Sequence, residues 1–381
     1  MNSSQKPNVV ILGGGYAGIA IATKLEAALH KTHQILLIER KTHFYHAVAG
    51  PRAVTIEGFE EKIMIPYDHM FKFDGKVIHA IATSIRQREI TVSLDGDNNN
   101  QRNIPFEYLI IATGSSYPRP GKMEADNKFD AVKQIAEQRN AIKNAKRILI
   151  VGGGPVGIEL AGEIASVYQN KQITLVHSEK SLLNSKYPQK MRDMLADQLK
   201  ELKVNLVLGE RVDLTSISTD GLTPVTLETN NNRVIESDIQ FVTIGSKPNT
   251  EIIKTLDASL LELNTNLVKV KPTLELDNDN YDRIFAAGDI TNIQETKMAY
   301  RAGLHAEIIV KNVLAKVNNN RLVDYKSPPE LILVTVGKKK GAGLLPMFGG
   351  KVVGSFMIKG IKGKSLFIDK YWKSLNAKQE K

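Results

Sequence analysis

Two glycine clusters are the residues of this chain best suited to chemistry. Gly13-Gly14-Gly15-Tyr16-Ala17-Gly18 follows the apolar run Val9 to Leu12 and opens a helical pattern, and Glu39 ends the next strand. Gly152-Gly153-Gly154-Pro155-Val156-Gly157 stands in the same context after Arg147 to Val151. Glycines at a strand-to-helix switch permit a tight turn, close approach of the backbone to a pyrophosphate and close packing of the helix on the strand. The helix N-terminus adds free N–H groups and partial positive charge. Glu39 is spaced to accept hydrogen bonds from an adenosine ribose. The matching position after the second cluster is His177, with no arginine close behind it. Neither the carboxylate that reads a ribose diol nor the guanidinium that reads a 2′-phosphate is present, so NADH and NADPH are not discriminated there.

The elements that must position these clusters form an internal duplication. The first copy runs through a strand at Asn8 to Leu12, a helix at about Tyr16 to Leu29, a strand at Gln34 to Ile38, a β-meander and a strand at Tyr108 to Thr113. A helix near Asp130 to Asn144 leads into the second copy. That copy has a strand at Arg147 to Val151, a helix from about Val156 to Val167, a strand at Gln172 to His177, a helix near Pro188 to Leu202 and a meander ending at Phe241 to Ile244. Asn-rich patches at 98–100, 230–232, 278–280 and 318–320 mark loop tips, since Asn suits turns and tolerates left-handed backbone. The first two patches divide the runs Glu89 to Leu94 from Gln101 to Phe106 and Val225 to Glu228 from Val234 to Ile235, which read as hairpins. Gly114 to Gly121 and Gly245 to Asn249 break the pattern at both ends of the second copy and read as linkers. The expected class is α/β, with two Rossmann-like dinucleotide-binding domains, each with a meander, plus a small basic C-terminal region. The first domain is discontinuous (1–120 and 246–324), the second is inserted in it (121–245), and 325–381 completes the chain.

Composition narrows the chemistry. The chain has 381 residues and no cysteine, which excludes disulfides, cysteine-ligated iron–sulfur clusters and Cys-x-x-Cys redox pairs. Redox work then falls to a bound organic cofactor. His43 and His46 lack a third clustered ligand, so no metal is expected. No apolar run approaches the roughly 18 to 20 residues of a membrane span, and the first residues lack a secretory pattern. A cytoplasmic protein is expected.

The two clusters, together with Ile111-Ala112-Thr113-Gly114 and Ile284-Phe285-Ala286-Ala287-Gly288-Asp289, resemble the two-dinucleotide flavoprotein family. The resemblance implies FAD, in native or modified form, in the first site and NADH or NADPH in the second, with Asp289 on the ribityl chain of the flavin. A helix N-cap is the other role open to Asp289. The segments 43–49 with Arg52, 297–306 and 365–373 are similar to the ferroptosis suppressor branch, also called mitochondrion-associated apoptosis-inducing-factor homologues. That likeness covers nearly the whole chain and implies NAD(P)H:ubiquinone reduction. It also implies flavin contacts at Arg52 and Ala82 and a nicotinamide neighbour at Glu159. Arg52 independently suits a phosphate or flavin anion. Thr113, Gly114, Met298 and Gly245 complete the expected cofactor contacts. A helix beginning near Thr296 would aim its N–H groups at the flavin, with Lys297 adding positive potential. Two features depart from the family: Asn2 stands where mammalian members carry the glycine of a myristoylation site, and the Gln-containing quinone motif of type II NADH dehydrogenases is missing around Met298 to Gly303.

The tail is strongly basic. Gly337 to Lys381 carries eleven lysines against Asp369 and Glu380, interleaved with apolar groups that include Trp372, the one tryptophan of the chain. Such mixing suits weak peripheral contact with an anionic membrane, with Trp372 at the headgroup boundary. The lipid droplet, plasma membrane and mitochondrial outer surface are the candidate sites. Packing of the same groups against the FAD domain is the plainer expectation for most of them. The rival function is an apoptosis-inducing-factor-like signalling flavoprotein whose tail binds nucleic acid, but the tail contains no arginine and no nucleic-acid motif, so no specific nucleic acid is expected.

Overall fold

The computed structural model describes residues 6–94, 100–347 and 350–379. Asn2, Asn98, Asn99 and Phe348 lie outside the described residues.

Asn8–Leu12 is a central strand because both its faces are apolar. Val9 and Ile11 enter one core, shared with the helices, and Val10 and Leu12 enter another, shared with the meander and residues 252–276. Such a two-sided run is the mark of a buried parallel strand. It sits within a seven-stranded sheet whose spatial order is Ile284–Ala286, Tyr108–Ile111, Asn8–Leu12, Gln34–Glu39, Lys76–Ile85, Glu89–Leu94 and Gln101–Pro105. The first five are parallel and the last three form the antiparallel meander. Helices Tyr16–Leu29 and Ala299–Val317 pack together on one face.

The second unit repeats the motif as a four-stranded parallel sheet ordered Asn205–Leu208, Gln172–His177, Arg147–Val151 and Ile239–Val242. Its expected meander is reduced to the hairpin Val225–Glu228 with Val234–Ser237, which pairs with itself and not with the main sheet. The closing strand ends at Val242, because Thr243 turns its Oγ1 onto the carbonyls of Val151 and Gly152. The two connecting segments pair with each other through Ser115–Ser116 and Lys247–Pro248, so each crossover braces the other.

Residues 332–374 form an antiparallel sheet of Ile332–Val336, Lys340–Leu345 and Lys351–Val353, followed by short helical segments. Leu344, Val353, Ile358, Leu366, Ile368 and Trp372 are buried. Trp372 therefore does not lie at a lipid boundary. Its indole Nε1 donates to the Lys62 carbonyl at 2.8 Å, and its ring joins the core shared with both nucleotide-type units. An indole with its N–H satisfied gains more from burial than from the surface. Among the described residues no helix is long and apolar enough to cross a membrane.

Candidate functional site

The two glycine turns share one backbone pattern. Gly13 and Gly152 have φ of +103° and +122°, a region that penalises any Cβ. A Cβ on Gly18 would lie 1.8 Å from the Gly13 carbonyl oxygen, and one on Gly157 would lie 1.9 Å from that of Gly152. These glycines let each helix close on its strand. At Gly15 and Gly154, the N-cap positions of helices Tyr16–Leu29 and Pro155–Val167, a Cβ would meet nothing within 4 Å. Neither cap supplies a side-chain hydrogen bond and neither first turn holds an acid, so each helix presents its orphan N–H groups outward. This is the local chemistry a pyrophosphate requires. Tyr16 and Ala17 lie in the first such turn and Pro155 in the second, where the missing proline N–H costs nothing.

Glu39 and His177 occupy equivalent places. Glu39 Oε2 accepts from Gly14 N at 2.5 Å and Oε1 from Lys41 N at 2.9 Å. The ring of His177 covers Gly153, where a Cβ would lie 2.7 Å from its Cγ, with Nε2 3.3 Å from the Leu183 carbonyl. Ala82 sits on Lys76–Ile85 at a β-bulge, three residues beyond His79, the partner of Glu39 in the ladder.

The crossover assembles the rest of the first site. Thr113 Oγ1 donates to the Asn249 carbonyl at 2.6 Å, and Asn249 returns bonds to the carbonyls of Thr113 and Gly114. Gly114 and Gly245 both have positive φ. Asp289 lies within a single 3-10 turn, Gly288–Ile290, and caps no helix. Its Oδ2 accepts from Ser115 Oγ at 2.6 Å, and the turn is held from behind by Gly288 N donating to His305 Nδ1 at 3.0 Å. Met298 is the extended N-cap residue of Ala299–Val317. That helix begins at Ala299, later than the expected start near Thr296. Lys297 is correspondingly turned away from an exposed role, its Nζ bound to the carbonyls of Thr291 and Ile293 and its pKa lowered by burial.

Arg52 and Glu159 also have protein partners. Arg52 is buried, with Nε and Nη2 donating to Glu163 Oε1 at 2.9 and 2.7 Å and Nη1 donating to the Gly363 carbonyl. Its partner in the structure is a carboxylate. Glu159 Oε1 accepts from Lys362 Nζ at 2.6 Å and from the backbone and hydroxyl of Thr335. One helix of the second unit, Pro155–Val167, thus carries both acids, Glu159 fastening it to the C-terminal region and Glu163 fastening it to Arg52 of the first unit. Burial pushes the Glu163 carboxyl up, against the opposing pull of Arg52. Glu163, Lys362, Ser115, His305 and Asn249 were missed by sequence reasoning. His305 lies inside a motif the sequence singles out, and Ser115 and Asn249 lie in the two linkers, but nothing local marks the role of any of them.

Tyr16, His46 and Tyr371 form an aromatic junction between the first helix and the tail. His46 Nε2 lies 2.6 Å from the Leu366 carbonyl, which only accepts, so Nε2 carries the proton and Nδ1 receives the Tyr16 hydroxyl at 3.1 Å. The Tyr16 oxygen in turn accepts from Val48 N. Burial lowers His46 to about 4, and burial with Lys41 and Lys128 lowers His43 to about 4. Among the described residues no group of three or more His, Cys, Asp or Glu could hold a metal ion. Both histidines are neutral when folded at pH 7 and regain an ordinary pKa near 6.5 when unfolded. Stability is then full above pH 6.5 and falls as pH drops from 6.5 to 4, by about 3 kcal/mol per histidine. Denaturant midpoints measured from pH 7 to 4.5 should show this fall, and His43→Leu should flatten it; an unchanged slope in that variant would remove His43 from the account.

Comparison with known proteins agrees with this geometry. Residues 7–303 match the family model described as pyridine nucleotide-disulphide oxidoreductase. The chain is 37% identical over 311 residues to FAD-dependent oxidoreductase FVFD30 of Flammulina velutipes, covering 81% of this chain and 94% of that protein. It is 32% identical to ferroptosis suppressor protein 1 of Mus musculus, covering 97% of this chain and 95% of the relative. The sulfide:quinone oxidoreductase of Aquifex aeolicus shares the fold, with a TM-score of 0.77 at 17% identity over 97% of this chain and 92% of that one. Two glycine cradles on parallel sheets, joined by a paired crossover and matched along the chain by these relatives, place it in the pyridine nucleotide-disulphide oxidoreductase family, as an FAD- and NAD(P)H-dependent oxidoreductase of the branch that includes ferroptosis suppressor protein 1.

Proposed function

We propose that the chain is an NAD(P)H:quinone oxidoreductase in which residues 1–120 and 246–324 bind FAD, residues 121–245 bind NAD(P)H and residues 325–381 close over their junction. The observation that carries this reading is the duplicated cradle, identical in its glycines but ending in Glu39 in one copy and His177 in the other. When bound, the flavin supplies the chemistry that takes a hydride from NAD(P)H and passes electrons on to an acceptor. The N–H groups of helix Tyr16–Leu29 hold the FAD pyrophosphate and Glu39 the adenosine ribose. The backbone at Ala82, Thr113 and Gly114 lines the cofactor, and Asp289, braced by Ser115 and His305, orients the ribityl chain. The second helix N-terminus, over Gly152 to Gly157, holds the NAD(P)H phosphates. Glu159, held by Lys362, fixes the first turns of that helix against the tail. Met298, at the start of helix Ala299–Val317, and Gly245, in the crossover, complete the cofactor contacts. With no cysteine in the chain, no thiol relays electrons, so the acceptor must reach the flavin itself. A quinone fits this requirement, and the ferroptosis suppressor likeness and the shared fold of a sulfide:quinone oxidoreductase support it.

Steady-state oxidation of NADH and NADPH against a ubiquinone analogue, menadione, ferricyanide and oxygen tests the reading. Turnover with quinone well above that with oxygen is expected, and failure with every quinone contradicts it. His177 offers neither a carboxylate nor a guanidinium, so kcat/KM for NADH and NADPH should agree within about tenfold. His177→Glu should shift preference toward NADH through the geometry that Glu39 shows. A wild-type preference of roughly a thousandfold would mean that another residue reads the 2′ position.

A further inference from the structure

The segment after the C-terminal sheet has two faces of opposite character. Ser355–Ile358 is a helical turn continued by a π-turn over Lys359–Gly363. Its inner face is buried, with Ile358 against the sheet, Lys362 on Glu159, and the Gly363 carbonyl on Arg52. Its outer face carries Phe356 at 93% exposure, Met357 at 39% and Ile361 at 40%. Met357 and Ile361 lie one helical turn apart, so they stand on one side with Phe356 beside them.

The stretch that carries this apolar trio is basic. Lys338, Lys339, Lys359 and Lys364 are exposed, and none makes an ion pair among the described residues. The turn holding Lys338 abuts the segment, since a Cβ on Gly363 would lie 2.8 Å from the Lys338 carbonyl oxygen. From Gly337 to Ile368 the chain contains no Asp or Glu. A nearly fully exposed phenylalanine beside Met357 and Ile361, in a stretch whose exposed lysines make no ion pair among the described residues, adds little to the fold and marks a contact surface.

We propose that this rim docks on an anionic lipid bilayer, with Phe356, Met357 and Ile361 entering the headgroup boundary and Lys338, Lys339, Lys359 and Lys364 resting on phosphates. Lipid suits the rim better than nucleic acid, because three exposed apolar side chains accompany the lysines and the tail holds no arginine to read a base edge. The inner face of the same segment touches Glu159 and Arg52, so docking sets the bilayer against the junction of the two units. A lipid-dissolved acceptor would approach there. That last step rests on the proposed quinone reduction, whereas lipid binding does not.

Flotation of the flavin-loaded full chain tests the rim, using vesicles of phosphatidylcholine alone and with added phosphatidylserine, at low and high salt. Binding is expected only to the anionic vesicles, falling as salt rises. Each lysine-to-glutamine change at 338, 339, 359 or 364 should weaken it by about fivefold. Phe356→Ser should weaken it by about tenfold or more while leaving thermal unfolding and short-chain quinone turnover unchanged, because the side chain packs on nothing. The proposal is overturned by absence of binding, by equal binding to neutral vesicles, or by binding that Phe356→Ser leaves intact. It is also overturned if duplex DNA displaces the protein and the apolar changes do not matter, which would make the rim a polyanion site. Flotation without quinone turnover would sink the proposed reaction and leave the rim standing, and the reverse result would do the opposite.

Discussion

Gly15→Leu should yield a folded protein that carries no FAD. A Cβ at this position meets nothing within 4 Å, and its φ of −75° suits any residue, so stability should change by no more than about 1 kcal/mol. The added side chain instead occupies the approach to the N–H groups of helix Tyr16–Leu29. Charge-assisted hydrogen bonds contribute about 1.5–3 kcal/mol each, so losing two weakens FAD by roughly two to four orders of magnitude. Visible absorbance per chain after gel filtration, read beside a thermal melt, separates this from unfolding. Gly18→Leu is the contrast, because its Cβ would strike the Gly13 carbonyl at 1.8 Å and prevent the helix from docking at all. Full flavin occupancy in folded Gly15→Leu would move the first cofactor site elsewhere.

Arg52→Ala should cost about 3–5 kcal/mol, the usual penalty for leaving a buried charge without its partner. Glu163 would then sit buried beside Glu159 with its main counter-charge gone, and the Gly363 carbonyl would lose its donor. Urea denaturation should show the loss directly. The double change Arg52→Met with Glu163→Leu should recover most of it, since apolar replacements of similar size often match a buried ion pair. A single-variant cost below about 1 kcal/mol would show that the clamp between the first unit, the second helix and the tail is not a stabilising element.

The contrast between what could and could not be read from the sequence follows the range of the interactions. Asn8–Leu12, Tyr16–Leu29, Arg147–Val151 and Gln172–His177 have the expected bounds, because continuous apolar runs ending in glycine turns are local signals. Both pairs of hairpin strands form as expected, and in the second Asn232 takes the left-handed region. What the sequence does not disclose lies where partners are distant. Arg52 is 111 residues from Glu163, and Glu159 is 203 residues from Lys362, so neither pairing leaves a trace in spacing. The sequence offers Lys297 as a cation for the flavin, and the fold adds that its Nζ donates to two carbonyls of its own loop. Trp372 looked interfacial among lysines, while a carbonyl on Lys62 makes burial of the indole favourable. Among the described residues the exposed aromatic of the tail is Phe356, which only the fold reveals.

Anaerobic stopped-flow absorbance of the purified yellow protein tests the central claim most directly. Mixing with NADH should bleach the visible flavin band in a single turnover, and subsequent mixing with a short-chain ubiquinone should restore it faster than oxygen does. The same bleaching should be absent in Gly154→Leu, which blocks the second cradle at its open N-cap while leaving the first intact. A flavin that stays oxidised with both NADH and NADPH, or that bleaches equally in Gly154→Leu, would contradict hydride delivery from the second dinucleotide fold.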